Sequence, residues 1–400
     1  MKNESIVPFS YAAIDFIIDE NLDIYFLEAN DLADGLYVLE TLRVYLISKF
    51  PRLVNTIFKN GLLLEFVDLF KKNYEVFSKG DRLKRVAIIY HNKYKKCVQR
   101  DELIQIKETF ISEGIDCEIY LPEELSMKSG FLIDLKNSFV PQAIFRRTSK
   151  LPLFIDKQLI INDPRIRYAT ANKYVTYNIV KEYSKSHNVL IKQPQTVLVN
   201  DLSCALKAIE MFKKRFRSDI LVIKPVWLWG GQGVVFTREV GDAKVKLKQF
   251  DKIIDPKFLN YFKPLLVQNF INSFKFQNFN NKYYIFEIRV FLFNLKIVGL
   301  IGRIPRYPFN PNKLIRHSLL CNISGGGKWL PILIDDCSNF KVKKIFDNKE
   351  IIFEEPINSQ ALILPHHFYV KISELSKHIV FAISEEAKKI DEEKLSSVPF

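Results

Sequence analysis

The chain has 400 residues, of which 48% are hydrophobic and 26% are charged, and its formal net charge is +14. This length allows two or three domains with a sizeable core, and the composition is that of a globular protein and excludes a disordered chain. The net charge indicates either an anionic partner, such as a nucleotide, a polycarboxylate or a nucleic acid, or a lysine-rich composition that is basic without a functional reason.

The sequence also lacks the marks of several protein classes. Its longest candidate for a membrane span, residues 283–304, is interrupted by four charged side chains, and the N-terminus has no apolar signal-peptide region. The five cysteines are scattered and show no CxxC spacing, so we expect reduced cysteines and no zinc site. The basic runs are not interleaved with aromatic residues, which makes nucleic acid an unexpected partner. We therefore expect a cytoplasmic protein without a membrane partner.

The predicted elements fall into three stretches. Apolar alternation over residues 10–30, broken at a polar turn, predicts a β-hairpin, and helical spacing predicts packed helices over residues 36–77. The buried strand RVAIIYHN then begins a β-α-β-α-β succession up to residue 150, which indicates a small doubly wound α/β sheet without a GxGxxG motif. From residue 151 strands and helices mix as in an α+β fold, and an amphipathic helix is predicted over residues 369–390.

The N-terminal hairpin carries a set of oxygen ligands. Asp15 lies on its first strand, and Glu28 and Asn30 share one face of its second strand. Two carboxylates and an amide oxygen form a hard site that suits Mg²⁺. Simple alternation could produce Glu28 and Asn30 by chance, but it would rarely also place an acidic partner across the hairpin.

The stretch LVIKPVWLWGGQGVVF joins a strand that ends near Lys224 to a loop with Gly230, Gly231 and Gly233. Glycines let backbone N–H groups come close to phosphate oxygens, and a lysine adds a positive charge. The stretch is not a Walker A loop, because Gly-Lys-Ser/Thr is absent and a strand follows instead of a helix. On its own it is more simply a glycine-bearing hairpin with a lysine nearby.

A later hairpin, FEIRVFLFNLKIVGLIGRIP, carries a carboxylate and two arginines. Glu287 and Arg289 lie two residues apart and share a face, and Arg303 comes at the end of the partner strand. This arrangement predicts a polyphosphate clamp, or else a cross-strand ion pair on an exposed sheet face. The stretch CNISGGGKW that follows is a glycine-rich loop, and His366 and His367 are either a metal pair or solvated side chains.

In this order the motifs resemble those of the ATP-grasp superfamily. GRIP followed by NISGGG is most similar to bacterial-type glutathione synthetases, and IDFIIDENLDIYFLEAN is similar to the closing motif of D-alanine–D-alanine ligases. The resemblance covers residues 83–400 and 1–35, and it implies an ATP-grasp fold with a Rossmann-like pre-ATP-grasp domain. The chain departs from the family at Trp227 and Trp229, which are bulkier than the usual loop residues, and in the missing proline after Asn30.

The resemblance implies a role for each motif residue. ATP would be bound by a lysine in ANKYVTYNIV, the strand lysine, the glycine loop, the QNFI hinge and the acid of the clamp, which are Lys173, Lys224, Gly230, Gly231, Gly233, Gln268, Asn269, Phe270, Ile271 and Glu287. Arg303 and Arg289 would be the catalytic residues. Mg²⁺, as two ions or with Mn²⁺ in its place, would be held by Asp15, Glu28 and Asn30. The substrates would contact Arg146, Arg147, Arg316, His317, Asn322, Ser324, Gly325 and Gly326.

The order of the motifs departs from the family, because the magnesium motif that normally comes last comes first here. We interpret the chain as circularly permuted, with residues 1–35 as the transposed magnesium segment, 36–82 as a helical connector, 83–150 as the pre-ATP-grasp domain and 151–400 as an ATP-grasp domain of two subdomains. In such a chain the segment around Phe9 and the C-terminal residue are expected within roughly 15 Å of each other.

The resemblance implies an ADP-forming carboxylate–amine or carboxylate–thiol ligase. A substrate carboxylate would attack the γ-phosphate of ATP to give an acyl phosphate, and an amine or thiol would then displace phosphate. The substrates would be small amino-acid or peptide-like acids and amines, and a homodimer is compatible with the sequence. Two other functions stay open: a kinase or phosphotransferase on the same fold, and a non-catalytic nucleotide-binding scaffold, against which the complete set of magnesium ligands argues.

Overall fold

The computed structural model describes residues 6–49, 61–91, 98–134, 136–148, 157–216, 219–228, 230–253, 264–277, 282–310, 312–323, 326–335 and 362–390. Within these ranges no helix has the length and apolar character needed to span a bilayer. The strands are β1 (Tyr11–Ile18), β2 (Ile24–Asn30), β3 (Arg85–Tyr90), β4 (Asp116–Tyr120), β5 (Ser126–Lys128), β6 (Phe131–Ile133), β7 (Ala143–Arg147), β8 (Leu159–Ile161), β9 (Thr196–Val199), β10 (Leu221–Pro225), β11 (Val235–Thr237), β12 (Leu265–Asn269), β13 (Lys275–Gln277), β14 (Tyr283–Ile285), β15 (Glu287–Phe293), β16 (Lys296–Ile304), β17 (Lys328–Asp335) and β18 (Leu362–Pro365). The helices are α1 (Leu36–Lys49), α2 (Leu62–Ser78), α3 (Val98–Ser112), α4 (Pro164–Ala171), α5 (Lys173–Ser186), α6 (Leu202–Phe216), α7 (Val240–Ile253), α8 (Arg316–Leu319) and α9 (His366–Ala387).

A six-stranded sheet in the order β18-β17-β16-β15-β1-β2, here called the large sheet, forms the centre of the fold. Its neighbouring strands are antiparallel except β17 and β18, which run parallel. Because side chains alternate along a strand, each strand divides its residues between two faces. One face, with Ile14, Phe16 and Ile288, is apolar and packs against α4, α5 and α9. The N-terminal β1 is buried along its whole length between β15 and β2.

The opposite face of the large sheet changes from apolar to polar along its strands. Tyr11, Phe291 and Phe293 are apolar and share a core with α1, α2 and α3. Further along the same strands this face becomes polar, with Asp15 on β1 opposite Arg289 on β15. The polar part therefore lies beyond the apolar core, where the sheet borders a cavity.

The stretch predicted as a doubly wound sheet is a four-stranded parallel sheet in the order β4-β3-β7-β8. Its last strand, β8, lies beyond the domain boundary predicted at residue 150. The second helix predicted for this stretch is wrong, because the described residues between β4 and β7 form a 3₁₀ turn at Pro122–Glu124 and the hairpin β5–β6. Ser129 and Gly130 have positive φ angles of 52° and 81°, as a two-residue hairpin turn requires.

A third sheet, antiparallel in the order β11-β10-β12-β9, lies on the other side of the cavity. Its outer face carries Leu221, Ile223 and Val267, which share a core with α6 and α7. Alternation along β10 then places Val222 and Lys224 on the inner face, where both line the cavity. The lysine predicted near the end of this strand is thus directed away from the core of its own sheet.

The helices α1 and α2 connect β2 to the parallel sheet. Leu39, Phe66 and Phe70 are buried in the core that these helices share with the parallel sheet and the large sheet. Neither helix contributes a residue to the lining of the cavity. Both lie in the stretch predicted as helical, of which residues 50–60 are outside the described ranges.

The segment that precedes β1 lies against the last helix. The backbone N–H of Phe9 donates to the hydroxyl of Ser384 on α9 at 3.3 Å. This helix spans His366–Ala387, close to the predicted range of 369–390. Phe400, the other residue of the predicted contact between the chain ends, lies outside the described residues. The circular permutation therefore stays a prediction.

Candidate active site

A cavity of about 900 Å³, counted with the part open to solvent, lies between the large sheet and the third sheet. Both sheets, the start of α5 and the segment around α8 contribute to its lining. Among the residues predicted to bind ATP, metal or substrate, the lining includes Asp15, Glu28, Lys173, Lys224, Gly230, Gly231, Gln268, Asn269, Phe270, Ile271, Glu287, Arg303 and Asn322. The fold thus brings residues from distant parts of the sequence into one cavity.

Two lysines enter the cavity from different elements. Lys224 comes from β10, and Lys173 is the first residue of α5, whose N-terminus is capped by the side chain of Asn172. The Nζ of Lys173 donates to the carbonyl of Leu228. Burial lowers the pKa of both lysines, that of Lys173 to about 8, although Glu28 opposes the shift. Two partly buried ammonium groups favour the binding of a polyanion.

The pKa of Lys173 predicts how nucleotide binding depends on pH. Below about pH 8 its ammonium is charged and attracts phosphates, whereas above that pH the neutral amine loses this attraction. We expect the Kd for Mg-ATP to rise about tenfold per pH unit above pH 8, because a proton must be taken up with the nucleotide. Titration calorimetry between about pH 7 and pH 9.5 would measure this. Lys173→Arg, which stays charged, should flatten the rise, and an equal slope in that variant would contradict the assignment.

The glycine loop is held against the segment around α8. Gly230, Gly231 and Gly233 have φ angles between 64° and 74°, a region that favours glycine. A Cβ on Gly231 would lie 2.6 Å from a methyl carbon of Leu320, which is closer than two carbon atoms can pack. The Nη2 of Arg316 donates to the carbonyl of Gly231 at 2.6 Å. These contacts fix the loop beside the two lysines.

The end of the cavity near the QNFI hinge is apolar. It is lined by Val222, Phe236, Phe270, Ile285, Leu319 and Leu320. Only Phe270 was predicted, because the others come from separate strands and from the segment of α8, and no local motif marks them. At the same end Gln268 donates from Nε2 to Thr196 Oγ1 at 2.6 Å. An apolar site with a few polar groups suits a planar base.

Asp15 lies at the polar end of the cavity. Its strand partners are Glu28 on β2 and Arg289 on β15. Arg289 binds both carboxylate oxygens, through Nε at 2.7 Å and Nη2 at 2.8 Å, and Arg303 adds its Nη2 at 2.8 Å. Burial raises the pKa of Asp15, but Arg289 and Arg303 more than offset this and lower it to about 2. Arg289, predicted as catalytic, does not line the cavity and instead positions Asp15.

Arg303 joins the two carboxylates of this end. Its Nη2 also reaches Glu287, its cross-strand partner, at 2.7 Å. Burial raises the pKa of Glu287 in spite of this arginine. The Nε of Arg303 is buried and has no hydrogen-bond partner among the described residues. Arg303 also lines the cavity, so its positive charge favours an anion there.

A β-bulge shapes the hairpin predicted to bind metal. The register between β1 and β2 shifts after Asp15, so that the consecutive residues Leu27 and Glu28 both line the cavity. Asn30 donates from Nδ2 to Asp15 and to Glu28, at 3.4 Å in each case. In this orientation Asn30 is a donor to the carboxylates, and a half-turn of its amide would present the oxygen instead.

The residues at this end fit a magnesium ion that is held mainly by its nucleotide. In the described part of the chain no three His, Cys, Asp or Glu side chains form a metal-binding group. Mg²⁺ commonly takes one or two carboxylates and completes its shell with water and substrate phosphates. Glu28 lines the cavity and meets this requirement directly. Asp15 meets it only with an arginine displaced, because both of its oxygens accept from guanidinium groups.

Arg146 and Arg147, predicted as substrate ligands, are buried in ion pairs outside the cavity lining. Arg146 pairs with Asp31 at 2.7 Å. Arg147 pairs with Glu102 at 3.3 Å and with Asp34. These pairs tie the end of β7 to α3 and to the loop after β2. Both guanidinium groups are therefore structural, and we do not retain them as substrate ligands.

The remaining predicted residues lie near the glycine loop or outside the described ranges. His317 follows Arg316 in α8, and its ring meets Tyr307 edge-on at 6.2 Å between centroids. Gly326 has a φ of 89° and lies beside the side chain of Arg306. The structure does not describe Trp229, Ser324 and Gly325. His366 and His367 begin α9 and belong to no metal-binding group in the described residues.

Comparisons with known proteins agree on the fold. No family model and no curated protein matches the sequence. A solved structure from Methylobacillus flagellatus KT, described as "Putative gamma-glutamylcysteine synthetase", matches 96% of this chain and 90% of its own, with a TM-score of 0.55 and 12% identity. A glutathione synthetase-like effector from Globodera pallida gives 0.46 and 12% over 74% of this chain and 73% of its own. A D-Ala:D-Ser ligase from Enterococcus faecalis gives 0.43 and 11% over 76% and 83%.

The first of these matches carries the argument, because it extends over nearly the full length of both chains. The large sheet and the third sheet enclose the cavity in which the predicted lysines, glycines, hinge residues and acids come together. The chain therefore has the ATP-grasp fold.

Proposed function

We propose that the protein is an ATP-dependent, ADP-forming ligase that joins a carboxylate to an amine or a thiol. One observation carries this proposal: two partly buried lysines, a glycine loop and a carboxylate–arginine group line the same cavity between two sheets. The similar structure from Methylobacillus flagellatus is described as a gamma-glutamylcysteine synthetase, and this description supports the same class of reaction.

The cavity divides into a base end and a phosphate end. The apolar walls near Phe270 would hold adenine, with Gln268 beside it. Lys173 and Lys224 would neutralise the α- and β-phosphates together with backbone N–H groups of the glycine loop. Arg303, which lines this end, would place its positive charge near the phosphoryl group in transfer, where a preorganised charge stabilises the charge that develops.

Glu28 would hold Mg²⁺ at this end, with Asp15 and Asn30 as its neighbours. When bound, the ion would supply positive charge that offsets the negative charge of the phosphates. The chain's own contribution is to place Glu28 at the cavity with Lys173 and Lys224, and to hold Asp15 between two arginines so that the hairpin does not shift.

The reaction would proceed in two displacements. A carboxylate oxygen of the acid substrate attacks the γ-phosphorus, and the bond from that phosphorus to the bridging oxygen of ADP breaks with its electron pair on ADP. The amine or thiol then attacks the acyl carbon, phosphate leaves with the electron pair of the broken C–O bond, and the nucleophile's proton passes to water. Arg303 stabilises the first step, since most of this chemistry is positioning and charge stabilisation.

A phosphate-release assay distinguishes this proposal from a kinase and from a scaffold. Purified protein with Mg-ATP is screened over pairs of amino acids and short peptides. A ligase releases phosphate only when acid and amine or thiol are both present, a kinase converts one acceptor to a stable phosphorylated product, and a scaffold releases nothing. Lys224→Met, which removes a buried charge from the phosphate end, should lower turnover at least about tenfold. The ligase proposal would be contradicted by turnover with one acceptor alone. It would also be contradicted if no pair of substrates gave turnover.

A further inference from the structure

Two buried amide side chains flank β8 in the parallel sheet. Gln158 precedes this strand and Asn162 follows it, and their exposed fractions are 2% and 1%. Each amide makes three hydrogen bonds to backbone groups. Those of Gln158 go to Leu132 and Pro141, between β4 and β7. Those of Asn162 go instead to the hairpin β1–β2, which is the hairpin predicted to bind metal.

The side-chain amide of Asn162 takes the place of a strand residue beside β1. Its Oδ1 accepts from the backbone N–H of Tyr11 at 2.7 Å, and its Nδ2 donates to the carbonyl of Tyr11 at 2.6 Å. Two residues that face each other in an antiparallel pair exchange both hydrogen bonds in this way. The same Nδ2 donates to the carbonyl of Asp31 at 3.0 Å, directly after the last residue of β2. Asn162 therefore continues the ladder along β1 where β2 ends.

The end of β2 that carries Glu28 needs such a contact because β2 is an edge strand. Among the described strands of the large sheet, β2 pairs with β1 alone. The backbone groups on the outer side of an edge strand have no partners in the sheet. Near the start of β2 the N–H of Phe26 donates to the carbonyl of Lys192 at 2.9 Å. Near its end, the contact between Asp31 and Asn162 joins β2 to the parallel sheet.

Asn162 is itself held in place by β7 of the parallel sheet. The Nε of Arg146 on β7 donates to the backbone carbonyl of Asn162 at 3.3 Å. The same guanidinium pairs with the carboxylate of Asp31 at 2.7 Å. Arg146, Asn162 and Asp31 are all buried, so water does not compete for these contacts. The position of Asn162 relative to the end of β2 is thereby fixed.

We propose that Asn162 is a positioning residue that holds the hairpin β1–β2 in the arrangement that binds Mg²⁺. This inference rests on the proposed ligase function. Asn162 does not line the cavity, but its partners lie on or directly after the two strands that carry Asp15 and Glu28. Without its amide, the buried N–H and C=O of Tyr11 would lose their partner, and the Asp31 carbonyl would lose its link to the parallel sheet.

Calorimetric titrations test the role of Asn162 without relying on turnover. ADP is titrated into the full chain once in EDTA and once with saturating Mg²⁺, and the ratio of the two Kd values gives the gain in affinity from the metal. The variants are Asn162→Ala and Asn162→Asp, of which the second keeps the acceptor for the Tyr11 N–H but loses both donated hydrogen bonds. Gln158→Ala is the matched control, because it removes an equally buried amide that bonds elsewhere.

We expect Mg²⁺ to increase the affinity for ADP by the same factor in the wild type and in Gln158→Ala. In both Asn162 variants this gain should fall about tenfold, or disappear where it is smaller, as is typical when a residue that orients metal ligands is removed. The added carboxylate of Asn162→Asp would by itself attract the metal, so a smaller gain in both variants indicates lost positioning and not a change in charge.

The Kd for ADP in EDTA should stay close to that of the wild type in all variants, which also shows that they are folded. An unchanged gain from Mg²⁺ in the Asn162 variants, or an equal loss of this gain in Gln158→Ala, would overturn the proposal.

Hydrogen exchange separates this inference from the ligase function, because it needs no ligand. The backbone amides of β2 should exchange faster in Asn162→Ala than in the wild type or in Gln158→Ala. If the wild type binds no ADP while the exchange of β2 depends on Asn162, the proposed function fails and the anchoring of the hairpin stands. If Mg-ADP is bound and neither the exchange of β2 nor the gain from Mg²⁺ depends on Asn162, the positioning role fails and the nucleotide site stands.

Discussion

Glu28→Gln is expected to lower the rate of phosphate release at least about a hundredfold, which is the scale of removing one preorganised electrostatic contributor. The substitution keeps the size of the side chain but removes the anion that would hold Mg²⁺ on the phosphates. Glu28 lines the cavity and accepts a hydrogen bond of 3.4 Å from Asn30 Nδ2. We therefore expect the variant to fold with a Tm close to that of the wild type.

The decisive measurement is steady-state phosphate release with Mg-ATP and an active substrate pair. Glu20→Gln is the matched control, because Glu20 lies in the turn of the same hairpin and pairs at the surface with Lys275. That control should change the rate by less than about twofold, since exposed ion pairs contribute little. Wild-type turnover in Glu28→Gln would remove Glu28 as the metal ligand, and the magnesium interpretation of the hairpin would fail with it.

The elements around the site were predictable where a local pattern determines them. The apolar run YAAIDFII, interrupted only by Asp15, predicts a strand, and the structure has β1 in that place. Asn172 before an apolar-periodic run predicts a helix N-terminus, and the side chain of Asn172 does cap α5. The start of α5 then places Lys173 at the cavity, so a short-range signal was sufficient here.

The partners of the charged residues were not predictable, because they depend on pairing between distant strands. Spacing shows that Glu287 and Arg289 share a face, but it does not show that β1 pairs with β15 and brings Asp15 to Arg289. The resemblance implied that Arg146 and Arg147 contact the substrates. Their acidic partners come from the loop after β2 and from α3, which no local pattern reveals.

The helix predicted between β4 and β7 is wrong for a local reason, which is a tight turn in the sequence. The residues Ser126–Lys128 and Phe131–Ile133 flank a Ser-Gly pair at positive φ, which reverses the chain into a hairpin. Apolar residues on both sides of such a pair satisfy a helical spacing as well as an alternating one. The Ser-Gly pair should therefore have decided between a predicted helix and a predicted hairpin.

The positions of β1 and α9 are compatible with the circular permutation, which stays a prediction. β1 lies inside the large sheet, and the segment before it contacts α9 through Phe9 and Ser384. A chain in which α9 led directly into β1 would need only a short connection, since both elements pack in the same core. A permuted variant that joins the two ends and opens the chain in the connector between α1 and α2 should fold and bind Mg-ATP if the interpretation is right.

Asp15→Asn is expected to affect stability more than any substitution of Glu28, by about 3–5 kcal/mol in the free energy of unfolding, because breaking a buried ion pair leaves uncompensated charge. Asp15 is fully buried, and its two oxygens accept two hydrogen bonds from Arg289 and form an ion pair with Arg303. The amide of asparagine can accept on one side only, so at least one buried guanidinium N–H would lose its partner. Urea unfolding of the wild type and the variant at pH 7 would measure the difference.

The pKa of Asp15 adds a second, independent signature. Folding lowers this pKa from its ordinary value of 3.8 to about 2, so the ionised carboxylate stabilises the folded state above pH 4 and this contribution is lost as the pH falls through about 2. The difference in unfolding free energy between wild type and Asp15→Asn should therefore shrink between pH 4 and pH 2. Glu28→Gln provides the contrast, with a small difference over the same range. If Asp15→Asn were as stable as the wild type at pH 7, the carboxylate would not be the counter-ion of the two arginines, and a bound metal would become the better explanation of its burial.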